Sequence, residues 1–170
     1  MREYVGEAVV LSSDPNGDLD SRVALFTKEH GKLTAKAKSA RKVTSKLAGH
    51  LQPGNVVRVR LVEKHGLQVA DALKQSVLGV SPPDLFRLNA LLGEAQPEQQ
   101  LWELLVNGQW SWSKVLRVLG WDPAGAQCRG CGKASPSFFS PATQDFFCDA
   151  CASKTRPGEV FSIGDSHTSH

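Results

Sequence analysis

The chain has 170 residues, of which 41% are hydrophobic and 22% charged, a composition that excludes a wholly disordered protein. Its net charge of +3 is unevenly divided, because residues 1–70 contain twelve Lys and Arg against seven Asp and Glu, whereas residues 71–170 contain eight against ten. No run of 18 apolar residues could span a bilayer, and the first residues lead into no apolar signal segment. We therefore expect a cytoplasmic protein without a membrane partner, whose basic partner surface lies in the N-terminal part.

Five strands and one short helix are predicted within residues 1–76. Runs of β-branched and apolar residues, separated by Gly, Pro and Asn turn signals, predict strands at 4–11, 19–27, 32–38, 56–62 and 67–73. Val43, Leu47 and Leu51 recur at every fourth position, which predicts a short helix over 44–51. Three strands, a helix and two strands are the layout of an OB-fold, a small closed barrel that binds nucleic acids or oligosaccharides. An SH3-like barrel and an open meander are alternatives that the pattern leaves open.

The third predicted strand lies in the most basic stretch of the chain. From Lys28 to Lys46 there are seven Lys and Arg against one acid, Glu29. Lys and Thr at the even positions of 32–38 alternate with Leu and Ala at the odd ones, which places ammonium groups on one face of a strand. A solvated lysine face is the plainer interpretation, but such a face also suits a phosphate backbone. The candidate nucleic-acid-binding residues are Arg22, Lys28, Lys32, Lys36, Lys38, Arg41, Lys42, Lys46, Arg58 and Arg60.

Aromatic residues are scarce in this part of the chain. Between Met1 and Gln75 there are two, Tyr4 and Phe26. Phe26 shares the alternation face of Arg22, yet a large ring at a strand end is more often buried than available for base stacking. We therefore expect little discrimination between single and double strands.

Three amphipathic helices are predicted over residues 77–126. Leucines at helical spacing mark the first at 85–92 and the second at 101–105, and a third stripe runs from Trp112 to Leu119. We expect these helices to form a small bundle. The four tryptophans are interpreted as core residues, with a groove for a partner peptide as the alternative: Trp102, Trp110, Trp112 and Trp121.

Four cysteines form the strongest motif in the sequence. Cys128, Cys131, Cys148 and Cys151 have the spacing C-x2-C-x16-C-x2-C, which is typical of a four-thiolate zinc site. Four thiolates leave no open position for water, so we expect one structural zinc ion. Two redox-active cysteine pairs or an iron–sulfur cluster are the alternatives. The module is predicted at 127–155, followed by a disordered tail rich in Ser, Gly, Thr and His at 156–170.

Signals for an enzyme are missing from the sequence. It has no Walker loop, no Gly-x-Ser-x-Gly elbow and no His-Glu-x-x-His motif, and its five histidines are scattered in predicted turns, a helix end and the tail. We expect a non-enzyme without a small-molecule substrate.

The fold class is α+β: an OB-fold barrel at 1–76, a helical bundle at 77–126 and the cysteine module.

The basic stretch carries a family resemblance. Residues 22–42, RVALFTKEHGKLTAKAKSARK, followed by Ser45-Lys-Leu and Leu51-Gln-Pro, resemble the pattern of the bacterial RecO family, with Ser39 where that pattern usually has Gly. Its members join an OB-fold to a helical domain that often carries a four-cysteine zinc module. In that family further helices follow the module, whereas nineteen residues follow Cys151 here, so a shortened helical domain is expected.

The resemblance implies a mediator of DNA repair and recombination. RecO-like proteins bind single- and double-stranded DNA, anneal strands, act with RecR, and contact single-strand-binding protein to help load the recombinase. It also implies a nucleoid-associated location. Two other functions are kept as alternatives: a zinc-ribbon and OB-fold RNA-binding factor, and a protein-interaction scaffold whose basic strand contacts an acidic partner.

Overall fold

The computed structural model describes residues 2–164. The chain divides into two compact units, Met1–Trp102 and Glu103–His170. Among the helices within 2–164, none is both long enough and apolar enough to cross a membrane.

The first unit contains a closed five-stranded barrel. Its strands are β1 Glu3–Asn16, β2 Asp20–Thr27, β3 Gly31–Ala37, β4 Asn55–Glu63 and β5 Leu67–Val77. Around the barrel the order is β1-β2-β3-β5-β4, and every pair is antiparallel except β3 with β5. The five predicted strands and the OB-fold are confirmed.

The barrel closes because the side chains alternate as the sequence predicts. On β4, Val57 and Leu61 are fully buried, whereas Arg58 and Arg60, which lie between them in the sequence, are exposed. On β3, every odd position is buried and every even position is half-buried. A period of two therefore fills the barrel interior and directs the charged groups outward.

The predicted short helix over 44–51 is wrong. This part of the connection between β3 and β4 consists of turns and bends, and Val43 at the start of the supposed apolar stripe is completely exposed. Leu51 is buried and Leu47 packs against the barrel core. A series of turns can direct two leucines four positions apart toward the core just as a helix can. The spacing therefore did not distinguish a helix from turns.

The three helices predicted after the barrel are present. They are α1 Pro82–Leu91, α2 Gln99–Val106 and α3 Trp112–Leu119. Ser81 caps α1, because its side chain accepts a hydrogen bond from the Asp84 backbone N–H at 3.3 Å, and two prolines occupy the first turn. In the first unit, α1 packs against β1. The helical segment predicted at 77–126 therefore spans the boundary between the two units.

The second unit is built around a small aromatic core. Strands β6 Phe138–Ser140, β7 Asp145–Phe147 and β8 Phe161–Ser162 form a sheet in the order β7-β6-β8, and α4 Asp149–Ala152 follows β7. Phe139 is fully buried against Phe146, and Phe161 packs on Trp112 with ring centroids 4.6 Å apart.

The disordered tail predicted from residue 156 is corrected in part. Phe161 and Ser162 pair with β6, and Ile163 is buried with its N–H donating to the Ser137 carbonyl at 2.9 Å. The prediction relied on the polar composition of the segment and overlooked its two large apolar residues, Phe161 and Ile163, which this sheet buries. Residues 165–170 lie outside the described part of the chain.

Candidate nucleic-acid interface and metal centre

The basic side chains predicted on the third strand lie on the outer face of β2 and β3. The register pairs Phe26 with Lys32 at one end of the face and Arg22 with Lys36 at the other. Residues that face each other in this register point to the same side of the sheet. The two ends of this face have different surroundings.

The Lys32 end of the face is covered by the chain itself. The Lys32 ammonium donates to the Asn89 carbonyl of α1 at 2.9 Å, and the Thr34 hydroxyl donates to the Glu94 carboxylate at 2.9 Å. The Lys32 backbone carbonyl accepts from the Ala95 N–H at 2.8 Å. Lys32 therefore faces an acceptor, and a carboxylate lies beside it, where the alternation alone predicted a free ammonium group.

Gly31 permits this covering segment to lie close to β3. A Cβ atom added at Gly31 would lie 2.6 Å from the backbone nitrogen of Gln96 and nearer still to its carbonyl. The backbone of Gly31 has φ of +72°, which also favours glycine. We define the covering segment as residues 89–96. The sequence offers no signal for this contact, since 57 positions separate Lys32 from Asn89.

The opposite end of the face is open. Arg22 and Lys38 are exposed, and the connection that follows β3 adds three exposed cations, Arg41, Lys42 and Lys46. Among residues 2–164, none of these five forms a salt bridge with a carboxylate. We use the name basic surface for these five residues and Lys36.

Asp20 fixes the turn at the end of β3. Its carboxylate accepts from the Ser39 backbone N–H at 2.7 Å and pairs with the Lys36 ammonium at 3.2 Å. The Ser39 N–H first, and Lys36 next, lower the pKa of Asp20 below its ordinary value of 3.8. Ser39 has φ of +57°, a conformation that costs an L-residue energy and that glycine adopts freely. The Asp20 hydrogen bond helps to hold this strained turn in place.

Arg58 and Arg60 lie on a different part of the barrel. β4 is separated from β3 by β5 and from β2 by β1. Arg60 forms a salt bridge with Glu3 at 3.1 Å, and Arg58 lies opposite Glu7 in the β1–β4 register. These two arginines therefore belong to a face of mixed charge, outside the basic surface.

Lys28 and the two aromatic residues lie away from the basic surface as well. Tyr4 lies opposite Leu61 of β4, and its ring packs edge-on against that of His30 with centroids 4.8 Å apart. Lys28 is exposed in the turn between β2 and β3, where it lines a cavity together with Glu7, Glu29 and Arg58. Phe26 is fully buried, with its ring 6.0 Å from that of Trp102. Burial removes Phe26 as a stacking platform.

The four predicted metal ligands lie together in the second unit. All four sulfur atoms of Cys128, Cys131, Cys148 and Cys151 lie within 4.8 Å of one another. The Cys131 and Cys148 sulfurs are 3.7 Å apart, close to the roughly 3.8 Å edge of a tetrahedron with metal–sulfur bonds of about 2.3 Å.

Local backbone structure aims the sulfurs at one point. The Gly132 N–H donates to the Cys128 carbonyl at 2.8 Å, which closes a tight turn with Gly132 at φ of +78°. Cys148 caps α4, and its sulfur accepts from the Cys151 N–H at 3.5 Å. A Cβ atom at Gly130 would lie 2.7 Å from the Cys151 sulfur, so a larger residue there would push a ligand away.

The electrostatics of the cluster favour a bound cation. Backbone N–H groups, that of Cys148 first, lower the pKa of Cys128 to about 6, and the Cys151 N–H lowers that of Cys148. The Cys128 and Cys148 sulfurs raise the pKa of Cys151 to about 12. A thiolate at Cys151 is therefore unfavourable unless a positive ion offsets the repulsion. Four cysteines at this spacing fit a structural metal ion.

Comparisons with known proteins agree with this architecture. The family model described as recombination protein O, N terminal, matches residues 1–76, which cover the barrel. The DNA repair protein RecO of Myxococcus xanthus is 48% identical over 69 residues, which are 41% of this chain and 28% of that protein. The DNA repair protein RecO of Bifidobacterium longum is 26% identical over 184 residues, covering 88% of this chain and 74% of that protein.

A third relative is similar over a comparable length. The DNA repair protein RecO of Nocardioides is 28% identical over 181 residues, covering 87% of this chain and 74% of that protein. The family model thus falls on the barrel, and the lower identities to the Bifidobacterium and Nocardioides proteins extend over most of this chain. On these matches, the barrel is similar to the N-terminal part of recombination protein O, and most of the chain resembles proteins named DNA repair protein RecO.

Proposed function

We propose that this chain acts in DNA repair and recombination by binding single- and double-stranded DNA on the basic surface. It brings complementary strands together without catalysing a reaction. With a RecR-like partner it helps to load the recombinase on DNA coated by single-strand-binding protein. Its place of action is the cytoplasm, at the nucleoid.

The basic surface is the observation that supports this proposal most directly. Five of its six cations are exposed and free of carboxylate partners within residues 2–164, whereas the sixth, Lys36, is half-buried and pairs with Asp20. Lys and Arg that are not neutralised within the protein can displace the counterions condensed on DNA. Phe26 is buried and Tyr4 packs against His30, so neither aromatic residue of the barrel is offered to a base, which favours contact with phosphates.

The role proposed for the cysteine cluster is to hold one structural zinc ion. Zinc bound by four thiolates supplies folding energy and no reactive position. The second unit has a small core, and a cation between the two cysteine pairs ties α4 and the Cys128 turn together. The four ligands are Cys128, Cys131, Cys148 and Cys151.

The proposal is tested by the salt dependence of DNA binding. Log affinity falls against log salt by about 0.7 to 0.9 for each phosphate neutralised. Changing Lys38, Arg41 and Lys42 together to Ala is expected to flatten this slope by about two and to leave the barrel folded. If five phosphates are engaged, a fourfold rise in salt weakens binding of the unchanged protein by roughly a hundredfold.

A charge-matched control separates the basic surface from net charge. Changing Lys28, Arg58 and Arg60 together to Ala removes the same three charges from the face of mixed charge. We expect that variant to keep most of the slope. Equal slopes for the two triple variants would place the DNA elsewhere, and binding of structured RNA in preference to DNA would favour an RNA-binding factor.

A further inference from the structure

A cleft lies beside the basic surface in the first unit. It is bounded by the end of β1, the start of β2 and the connection between β3 and β4, and its volume is about 390 Å³. This is within the range of cavities that hold small ligands, roughly 300–1,000 Å³. Its polar lining comes from Ser13, Ser21, Arg41, Lys42 and Gln52.

Among residues 2–164, the charged side chains that line the cleft are all cations. Two cations and no carboxylate are found among its lining residues. The cavity beside β4 contrasts with it, because Lys28 and Arg58 share that cavity with Glu7 and Glu29. An anion entering the first cleft thus meets cations without competition from acids in the walls.

Arg41 is held in place by hydrogen bonds to neutral groups. Its guanidinium donates to the Gly17 carbonyl at 2.8 Å, and its backbone N–H donates to the Leu19 carbonyl at 2.8 Å. Both acceptors are neutral carbonyls of the β1–β2 loop. Within residues 2–164 the guanidinium forms no salt bridge, so its other N–H groups can bind a further acceptor. A fixed arginine loses little conformational entropy when an oxyanion arrives.

Part of the lining of the cleft is apolar. Leu51 is buried there, and Pro53, Pro15 and Ala48 continue the wall. A cleft lined by hydroxyl, cationic and apolar groups fits a phosphate group with its attached sugar.

We propose that this cleft binds one phosphodiester of the DNA backbone, with Arg41 and Lys42 on its oxygens and the deoxyribose against the apolar wall. This inference rests on the proposed function and adds a defined position to it. The remaining cations of the basic surface attract the DNA through long-range electrostatics. The phosphate bound in the cleft fixes the position of the DNA strand along the barrel.

The test fills the cleft without changing any charge. Ala48→Phe places a ring in the cleft, and Ala70→Phe, at an exposed position on β5, is the matched control. With a single-stranded oligonucleotide as the probe, Ala48→Phe is expected to weaken binding about fivefold or more. Its salt slope falls by about 0.7, the value for one phosphate on a single strand. Ala70→Phe is expected to change neither.

A second variant keeps the proposal testable if Ala48→Phe does not fold. Arg41→Lys retains the charge and removes the planar donor group, so it is expected to weaken binding severalfold. Normal binding by either folded variant would overturn the phosphate position. If the Lys38, Arg41 and Lys42 triple variant is still impaired, the proposed function survives and only the cleft is refuted. If that variant also binds normally, both are refuted.

Discussion

Gly31→Ala tests whether the covering segment is docked on β3 as described. An alanine at φ of +72° costs about 1–2 kcal/mol in the folded state, offset by about 0.4–1 kcal/mol from a less flexible unfolded chain. Its Cβ atom also meets the backbone of Gln96, so residues 94–96 must move away from the strand.

The movement breaks up to three hydrogen bonds. They are the bonds from Ala95 to Lys32, from Lys32 to Asn89 and from Thr34 to Glu94. Each is worth about 0.5–1.5 kcal/mol, and at the lower end of that range for exposed groups, so we expect an additional loss of about 2 kcal/mol.

Gly66→Ala is the matched control for the backbone strain. Gly66 lies in the turn between β4 and β5 with φ of +97°, and a Cβ atom there has no neighbour within 4 Å. Both variants are unfolded in urea, and the free energy of unfolding of each is obtained by linear extrapolation to water. Gly31→Ala should lose about 2 kcal/mol more than Gly66→Ala, and equal losses would refute the docking of residues 94–96.

Three further predictions concern the metal, the pH dependence and the choice of strand. Cys148→Ser should release zinc and unfold the second unit while the barrel persists, as elemental analysis and circular dichroism can show; metal-free protein purified without chelator would contradict the metal proposal. Because the pKa of Asp20 is lowered in the folded state, its stabilising contribution is present above pH 3.8 and is lost as the pH falls further. Acid unfolding of Asp20→Asn should lack this component, and an identical pH profile would show that the carboxylate does not hold the Ser39 turn. Since Phe26 is fully buried, affinities for single- and double-stranded DNA should lie within about tenfold at low salt, a gap of about 1.4 kcal/mol. A hundredfold preference for single strands would require a stacking ring on the basic surface.

Much of the barrel and the cysteine cluster could be predicted from local pattern. Alternation along β3 and β4 reports which side chains are inside, since a strand directs successive residues to opposite faces. The two Cys-x-x-Cys pairs restrict the geometry around a single ion, so their spacing alone predicted that the four sulfurs converge. In both cases the informative residues are close in sequence.

Local pattern was misleading where different structures satisfy the same spacing. Leu47 and Leu51 face the core from a series of turns, although their spacing is that of a helix. Phe161 and Ile163 lie in a polar segment, and only the sheet of the second unit provides a place to bury them.

The division of the basic residues into covered and open groups was decided by tertiary structure alone. Lys32 and Lys36 are equivalent by alternation, yet Lys32 binds the end of α1 while Lys36 lies at the open end of the face. The acceptors for Lys32 and Thr34 lie 57 and 60 residues further along the chain. Composition and periodicity determine where a cation lies on its strand, but the long-range packing of the chain determines whether that cation remains free for a partner.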